Sequence, residues 1–144
     1  MLIKCEDSLS DTMVHSLLMR FDMSFDEPLH DEIDFIAYSE KLSLHAHFIL
    51  AYNDNDLMGF ISYYINEEGQ FAYVPFIAVH QDCRHQGVGH LMLSYLLGKL
   101  SIEIKHVRLE VKESNAYAQM FYKREGFYVI SEPNKGRILL NKDL

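Results

Sequence analysis

Two stretches of this 144-residue chain hold residue types at spacings that suit chemistry. The first is RHQGVG, Arg84 to Gly89, set between the apolar run Phe71 to Val79 and an amphipathic segment that begins behind the glycines. Strand, glycine turn and helix in that order make an anion cradle. Backbone N–H groups in the first turn of a helix have no internal acceptors, and the macrodipole adds partial positive charge there, so main chain alone can hold a phosphate. Gly87 and Gly89 allow close approach and a turn of positive φ. Arg84 and His85 add side-chain donors, Arg84 with a planar fork suited to phosphate oxygens. A dinucleotide fingerprint is excluded because Met92 stands where its third glycine belongs, and a P-loop because Gly-Lys-Ser/Thr is absent.

The second stretch is NAYAQMFYKREGF, Asn115 to Phe127. It follows a strand-like run, His106 to Val111, and reads as a short helix with Gly126 as its C-cap and Phe127 opening a new strand. Asn115, Ala118 and Tyr122 stand at i, i+3 and i+7 and so share one helix face. The axial rise puts the phenol roughly 10 Å beyond the amide, the scale of a long, thin ligand arm lying beside the helix.

With both motifs present, in order and suitably spaced, the chain from Asn55 to about Leu140 resembles the GNAT superfamily of N-acetyltransferases. Its signature is Arg/Gln-x-x-Gly-x-Gly/Ala after a central strand, then Asn-x-x-Ala-x-x-Phe-Tyr-x-x-x-Gly-Phe. The likeness implies an α/β fold with a mixed, largely antiparallel sheet flanked by helices and a splay between the fourth and fifth strands. It implies acetyl-CoA as acyl donor, held by Ile77, Ala78 and Val79, by Arg84, His85, Gln86, Gly87, Val88, Gly89 and His90, and by Asn115, Ala118 and Tyr122. Asn115 has an equal structural reading as a helix N-cap. Pro75 cannot donate to a ladder and marks a bulge or edge, which fits the splay.

The chemistry so implied is acyl transfer from a thioester to an amine. The Val79 amide is the expected oxyanion donor, and Tyr122 the general acid for the departing thiolate, since a tyrosine is protonated at neutral pH. The acceptor must lose a proton. Where histone-modifying members carry a glutamate in the central strand this chain has Tyr73, so the base is left open among Glu110, His80 and a water relayed from Tyr73 or Tyr64. Cys83 belongs to the phosphate turn, which argues for direct transfer in a ternary complex without a covalent enzyme intermediate.

These residues need a frame. A strand is expected at Met1 to Cys5, a helix at Ser10 to Phe21, a loop at Asp22 to His30, and a helix from Asp31 to about Leu44 with Ile33, Ile36, Ala37 and Leu44 on its apolar face. Three meandering strands follow, Ala46 to Tyr52, Leu57 to Asn66 and Phe71 to Val79, joined by the hairpin turns NDND and NEEGQ. The helix behind the cradle covers the sheet with Val88, Leu91, Met92, Tyr95 and Leu96. Strands at Phe127 to Ile130 and Arg137 to Leu140 finish the domain, the last as an edge that a homodimer could pair across. By the likeness, Phe25, Phe35 and Tyr38 are candidates for acceptor contact, with core packing as the alternative; Tyr63, Tyr64 and Glu67 are further candidates.

Composition bounds the rest. At 49% apolar residues and without repeats, residues 1–144 suit one compact domain. There is no basic, apolar leader and no run of the ~18 apolar residues that span a membrane, so the reading is a cytoplasmic protein with no membrane partner. A formal charge of −8 opposes nucleic-acid binding and favours a cationic amine, or serves solubility alone. Cys5 and Cys83 form no disulfide framework, and His45, His47, Cys83 and His85 lack a zinc-type spacing, so no metal is expected. The function expected is therefore an acetyl-CoA-dependent N-acetyltransferase acting on a small-molecule amine such as an amino sugar, amino acid or polyamine. The alternatives are a CoA-binding sensor without catalysis, or a peptide or protein N-acetyltransferase.

Overall fold

A computed structural model describes residues 1–25, 30 and 33–144. The expected start of the second helix at Asp31 and residues 26–29 of the expected loop, Pro28 among them, lie outside the described residues.

Among the described residues the strands are β1 (Leu2–Glu6), β2 (His47–Asn53), β3 (Asp56–Asn66), β4 (Phe71–Val79), β5 (His106–Lys112), β6 (Tyr128–Val129) and β7 (Arg137–Asp143). The α-helices are α1 (Asp11–Arg20), α2 (Phe35–His45), α3 (Val88–Lys99) and α4 (Ala116–Arg124). The sheet runs β1-β2-β3-β4-β5-β7-β6. Its β4–β5 pair is parallel, and the pairs β1–β2, β2–β3, β5–β7 and β6–β7 are antiparallel. The mixed α/β fold is thus the one expected. The parallel ladder holds only Phe71↔His106, Ala72↔Val107 and Tyr73↔Arg108, so it ends two residues before Pro75.

The chain forms two compact units. The first comprises Met1–Tyr63 and Phe76–Lys99. Its helices start where short polar side chains satisfy first-turn donors: Ser10 Oγ accepts from Met13 N–H at 3.2 Å, and Asp34 Oδ1 accepts from Ile36 N–H at 2.9 Å. Phe48, Ile49, Leu50 and Ala51 of β2 are all buried, so both faces of that strand are covered. Val14, Leu17 and Leu18 of α1 and Val88, Met92, Leu93 and Leu96 of α3 are buried with them. A β-carbon on Gly59 would stand 2.8 Å from the Ala78 carbonyl oxygen and 2.9 Å from Met92 Cε, so the close packing at this point of β3 needs glycine.

The second unit comprises Tyr64–Pro75 and Leu100–Leu144. Val107, Leu109 and Val111 of β5, Ile138 and Leu140 of β7, and Phe127 are buried in it. Buried Asn141 accepts from Arg108 Nε at 3.0 Å, while the Arg108 guanidinium lies 4.6 Å from the centroid of Phe71. Lys142 donates to the Glu125 carbonyl at 2.7 Å, which satisfies the C-terminal end of α4.

Three expectations are corrected. Arg137 to Leu140 belongs to β7, which lies between β5 and the two-residue β6 in the sheet order, so β7 is not the outermost strand. On α2, Ile36 and Leu44 are 67% and 77% exposed and Ala37 is exposed, whereas Ser39 and Leu42 are buried. With its N-cap at Asp34, the helix turns the stripe of Phe35, Tyr38, Ser39 and Leu42 inward, and counting apolar residues could not tell one partly apolar face from another. On α3, Leu91 is 41% exposed and Leu93 takes its place in the core.

Gly59→Ala should lower stability by about 1–3 kcal/mol, because the obstructing Ala78 oxygen is backbone and cannot swing aside. Denaturant titration of the variant against wild type checks this, and an unchanged midpoint would contradict it.

Candidate active site

In the first unit the site begins on β4. Along it Phe76 and Ala78 are buried, while Ile77 and Val79 are half-buried. His80 N–H donates to the Met58 carbonyl at 2.7 Å, and the Ala78 carbonyl abuts Gly59, so residues 78 and 80 present their backbone groups to β3. Strand alternation then turns the N–H groups of Ile77 and Val79 to the opposite edge of β4. The chain leaves the strand through a 3₁₀ turn, Gln81–Cys83, which the His80 imidazole caps by accepting from Asp82 N–H at 3.2 Å. With Nδ1 used as an acceptor, the ring proton belongs on Nε2.

The loop that follows is built around left-handed backbone. His85 has φ +64 and Gly87 φ +79. Around Gly87 a β-carbon would meet nothing within 4 Å, so conformation, not space, calls for glycine there. Gly89 is the second residue of α3 and has no such φ, so the conformational demand falls on one of the two glycines. The first rung of α3 is Leu91 N–H to the Gly87 carbonyl at 3.0 Å. The N–H groups of Val88 and Gly89 therefore precede the helical ladder and have no intrahelical acceptor. Arg84, His85, Gln86 and His90 are exposed around them. Arg84 has a further task absent from the sequence reading: its Nη2 donates to the Ser24 carbonyl.

In the second unit Asn115 is the N-cap of α4, its Oδ1 accepting from Ala118 N–H at 3.1 Å. Ala118 is half-buried. Tyr122 is buried, with its ring edge-on to Phe121 and Phe127 at centroid distances of 5.3 and 5.5 Å. Burial pushes the Tyr122 phenol well above the ordinary tyrosine range. Its proton is firmly held. Gly126, with φ +94, ends the helix as expected, one residue beyond the cap Glu125. Two residues named separately as candidates for proton removal prove to be partners: the Tyr73 hydroxyl donates to Glu110 Oε1 at 3.3 Å.

The remaining candidates divide. Tyr63 is buried with its hydroxyl 3.8 Å from Cys5 Sγ and its ring stacked on His47 at 5.2 Å, so it packs the sheet and does not face an acceptor. Phe35 meets His15 edge-on at 6.2 Å. Phe25 and Tyr38 each meet Phe76 edge-on at 6.0 Å. Among the described residues no helix is long and apolar enough to cross a membrane.

A model of the Acetyltransferase (GNAT) family matches residues 11–127. No curated protein sequence matches the chain. Solved structures share its fold. A PaiA N-acetyltransferase from Thermoplasma acidophilum, in complex with coenzyme A, is 20% identical with a TM-score of 0.75, covering 100% of both chains. The ribosomal-protein-S18-alanine N-acetyltransferase of Escherichia coli is 19% identical, with a TM-score of 0.77 over 99% of this chain and 94% of that one. An acetyltransferase from Thermus thermophilus is 13% identical, with a TM-score of 0.80 over 100% and 98%.

A phenol whose folded-state pKa is raised stabilises the fold fully below its unfolded value near pH 10, and that contribution is lost as pH climbs through the folded value. Tyr122→Phe should therefore lose less stability than wild type between about pH 9 and about pH 12. Urea midpoints across that range check this, and parallel curves would contradict it.

Proposed function

The chain belongs to the GNAT acetyltransferase family, and from that premise we propose that it transfers an acetyl group from acetyl-CoA directly to the primary amine of a small molecule. The observation that carries the donor half is the left-handed turn at Gly87, which delivers the unladdered N–H groups of Val88 and Gly89 to a helix start beside a half-buried strand end. An anion is the ligand such donors suit, and a diphosphate is the anion that coenzyme A supplies. Arg84 keeps further guanidinium donors besides the one given to Ser24, because its fork holds five. When bound, the cofactor supplies an acyl group activated as a thioester.

The protein's own residues supply the rest. The Val79 N–H, turned away from β3, is assigned to the carbonyl oxygen, where charge develops as the amine attacks. Tyr122 is assigned to the departing sulfur. Its raised pKa keeps it protonated across the working range, and it makes transfer of that proton to a free thiolate of pKa near 8.5 uphill, so the phenol acts by donating a hydrogen bond that strengthens as sulfur charge grows. The Tyr73–Glu110 pair is assigned to the acceptor's proton. Glu110 is exposed and carries the acceptor oxygen of the pair, so a proton passed to it has a path to water. His80 is the weaker choice because Nδ1 already serves as a cap. Asn115 contributes by starting α4 where it does, which sets the register of Tyr122. We place this activity in the cytoplasm, supported by the free thiols of Cys5 and Cys83, and read residues 1–144 as one working domain because β3 and β4 each run through both compact units.

Two experiments test the assignment. Calorimetry should show acetyl-CoA binding to wild type, and Gly87→Val should weaken it about tenfold or more by straining the turn; no heat with any CoA species would sink the proposal. Tyr122→Phe should cut turnover about 100-fold with cofactor affinity nearly unchanged, whereas undiminished thiol release would remove Tyr122 from the role.

A further inference from the structure

The end of β7 grips the corner that follows Tyr122 from both faces of the sheet. That corner is a helix end of defined form. Gly126 N–H donates to the Lys123 carbonyl at 3.1 Å and Phe127 N–H to the Tyr122 carbonyl at 2.9 Å, the two bonds by which a left-handed glycine closes the last turn of a helix. Such an end brings the residue after the glycine against the side chain five positions earlier. Here the two are Phe127 and Tyr122, their rings edge-on at 5.5 Å. The place of the phenol therefore depends on Phe127.

Phe127 is held through its neighbours, because β6 has only two residues and its ladder is too short to fix the corner by main chain. Strand alternation sends Lys142 to the face of its register partner, buried Val107, and sends Asn141 and Asp143 to the other face. On the first face Lys142 Nζ donates to the Glu125 carbonyl at 2.7 Å, a charge-assisted bond of roughly twice the ordinary strength. A β-carbon on Gly126 would stand 2.5 Å from that nitrogen, so the ammonium seats only against glycine. On the second face the Tyr128 hydroxyl donates to Asp143 Oδ2 at 2.9 Å and accepts from Asn141 Nδ2 at 3.1 Å. Asn141 is 2% exposed and accepts from Arg108 Nε at 3.0 Å, while His106 Nδ1 lies 2.9 Å from Asp143 Oδ1. Three consecutive residues of a strand laddered to β5 along its whole length thus hold the chain on both sides of Phe127.

We propose that Lys142, Asp143 and Tyr128 are positioning residues for Tyr122, setting the place of its phenol through Phe127 and so the geometry of its hydrogen bond to the departing sulfur. The inference rests on the acyl-transfer reading above and extends it to residues that act through Tyr122. A misplacement of about 1 Å at a reacting group costs up to about 100-fold in rate, so a clamp remote from the chemistry is felt there.

The test follows thiol release at saturating acetyl-CoA, with whichever of glucosamine, lysine and spermidine wild type acetylates fastest. Lys142→Met keeps an unbranched stem and removes the donor. It should lower kcat about tenfold with the acetyl-CoA KM changed less than about twofold, and Lys142→Arg should recover most of the loss. Tyr128→Phe removes one hydroxyl from an exposed side chain, a milder change that should lower kcat about threefold. Urea midpoints separate these losses from loss of fold. In a Tyr122→Phe background neither substitution should lower kcat further, since a residue acting through a hydroxyl is silent once that hydroxyl is gone. The Tyr122 ring resonances, identified by their loss in Tyr122→Phe, should shift in both single variants and give a readout that needs no acceptor. Unshifted resonances, full activity in both single variants, or losses that persist in the Tyr122→Phe background would overturn the clamp and leave acyl transfer standing. Undiminished thiol release by Tyr122→Phe itself would remove both.

Discussion

The structure turns on how a strand becomes a helix between Val79 and Val88. The left-handed residue Gly87 lets α3 start with its N-terminus open. An anion held this way is recognised by main chain, so the surrounding side chains are free to vary and to do other work. Arg84 illustrates this. Its exposed guanidinium looks from the sequence like a phosphate ligand and nothing more, yet in the fold it also anchors the Ser24 carbonyl. The local donors matter the more because the chain carries a formal charge of −8, which repels an anionic ligand at long range. Exposed charges further off than about 10 Å are screened at ordinary salt, and the helix N-terminus acts within that distance.

β4 serves two ends at once. Its first three residues are locked to β5 in parallel register, and the ladder then stops. Beyond that point the strand keeps its pairing with β3 through Ala78 and His80 while presenting Ile77 and Val79 amides on the other edge. Pro75 sits at the changeover, and having no N–H it loses nothing there. Close packing secures the arrangement from below, since Gly59 lets the Ala78 carbonyl and Met92 approach as no larger residue could. A strand that must expose part of its backbone is thus held rigidly by its other edge.

The phenol of Tyr122 shows a related tension. Rings of Phe121 and Phe127 exclude water from it, which fixes its position and holds its proton tightly. A group so placed donates a hydrogen bond well and gives up its proton reluctantly, and that balance defines the contribution we assign to it. Glu110 is its opposite, exposed and joined to Tyr73 by a long bond of 3.3 Å, where exchange with solvent is easy. Two oxygen acids in one unit thus have opposite surroundings, one enclosed by rings and one open to water.

The elements themselves were legible in the sequence because they depend on local patterns. Hairpin turns marked β2, β3 and β4, apolar residues at helical spacing marked α1, and Asn115 and Gly126 marked the two ends of α4. The glycine turn and the Asn115 to Phe127 motif identified the family, since those residue types answer to backbone needs that hold wherever the motif occurs. What the sequence could not say is which faces and partners the elements would find. The Tyr73–Glu110 pair, the burial of Tyr63 against Cys5 and the bond from Arg84 to Ser24 join residues 37, 58 and 60 positions apart. The inward stripe of α2 and the interior place of β7 depend on what packs against them. A periodicity reports that a helix has an apolar side, but burial is decided by the neighbour that covers it, and that neighbour is chosen only when the whole chain has folded.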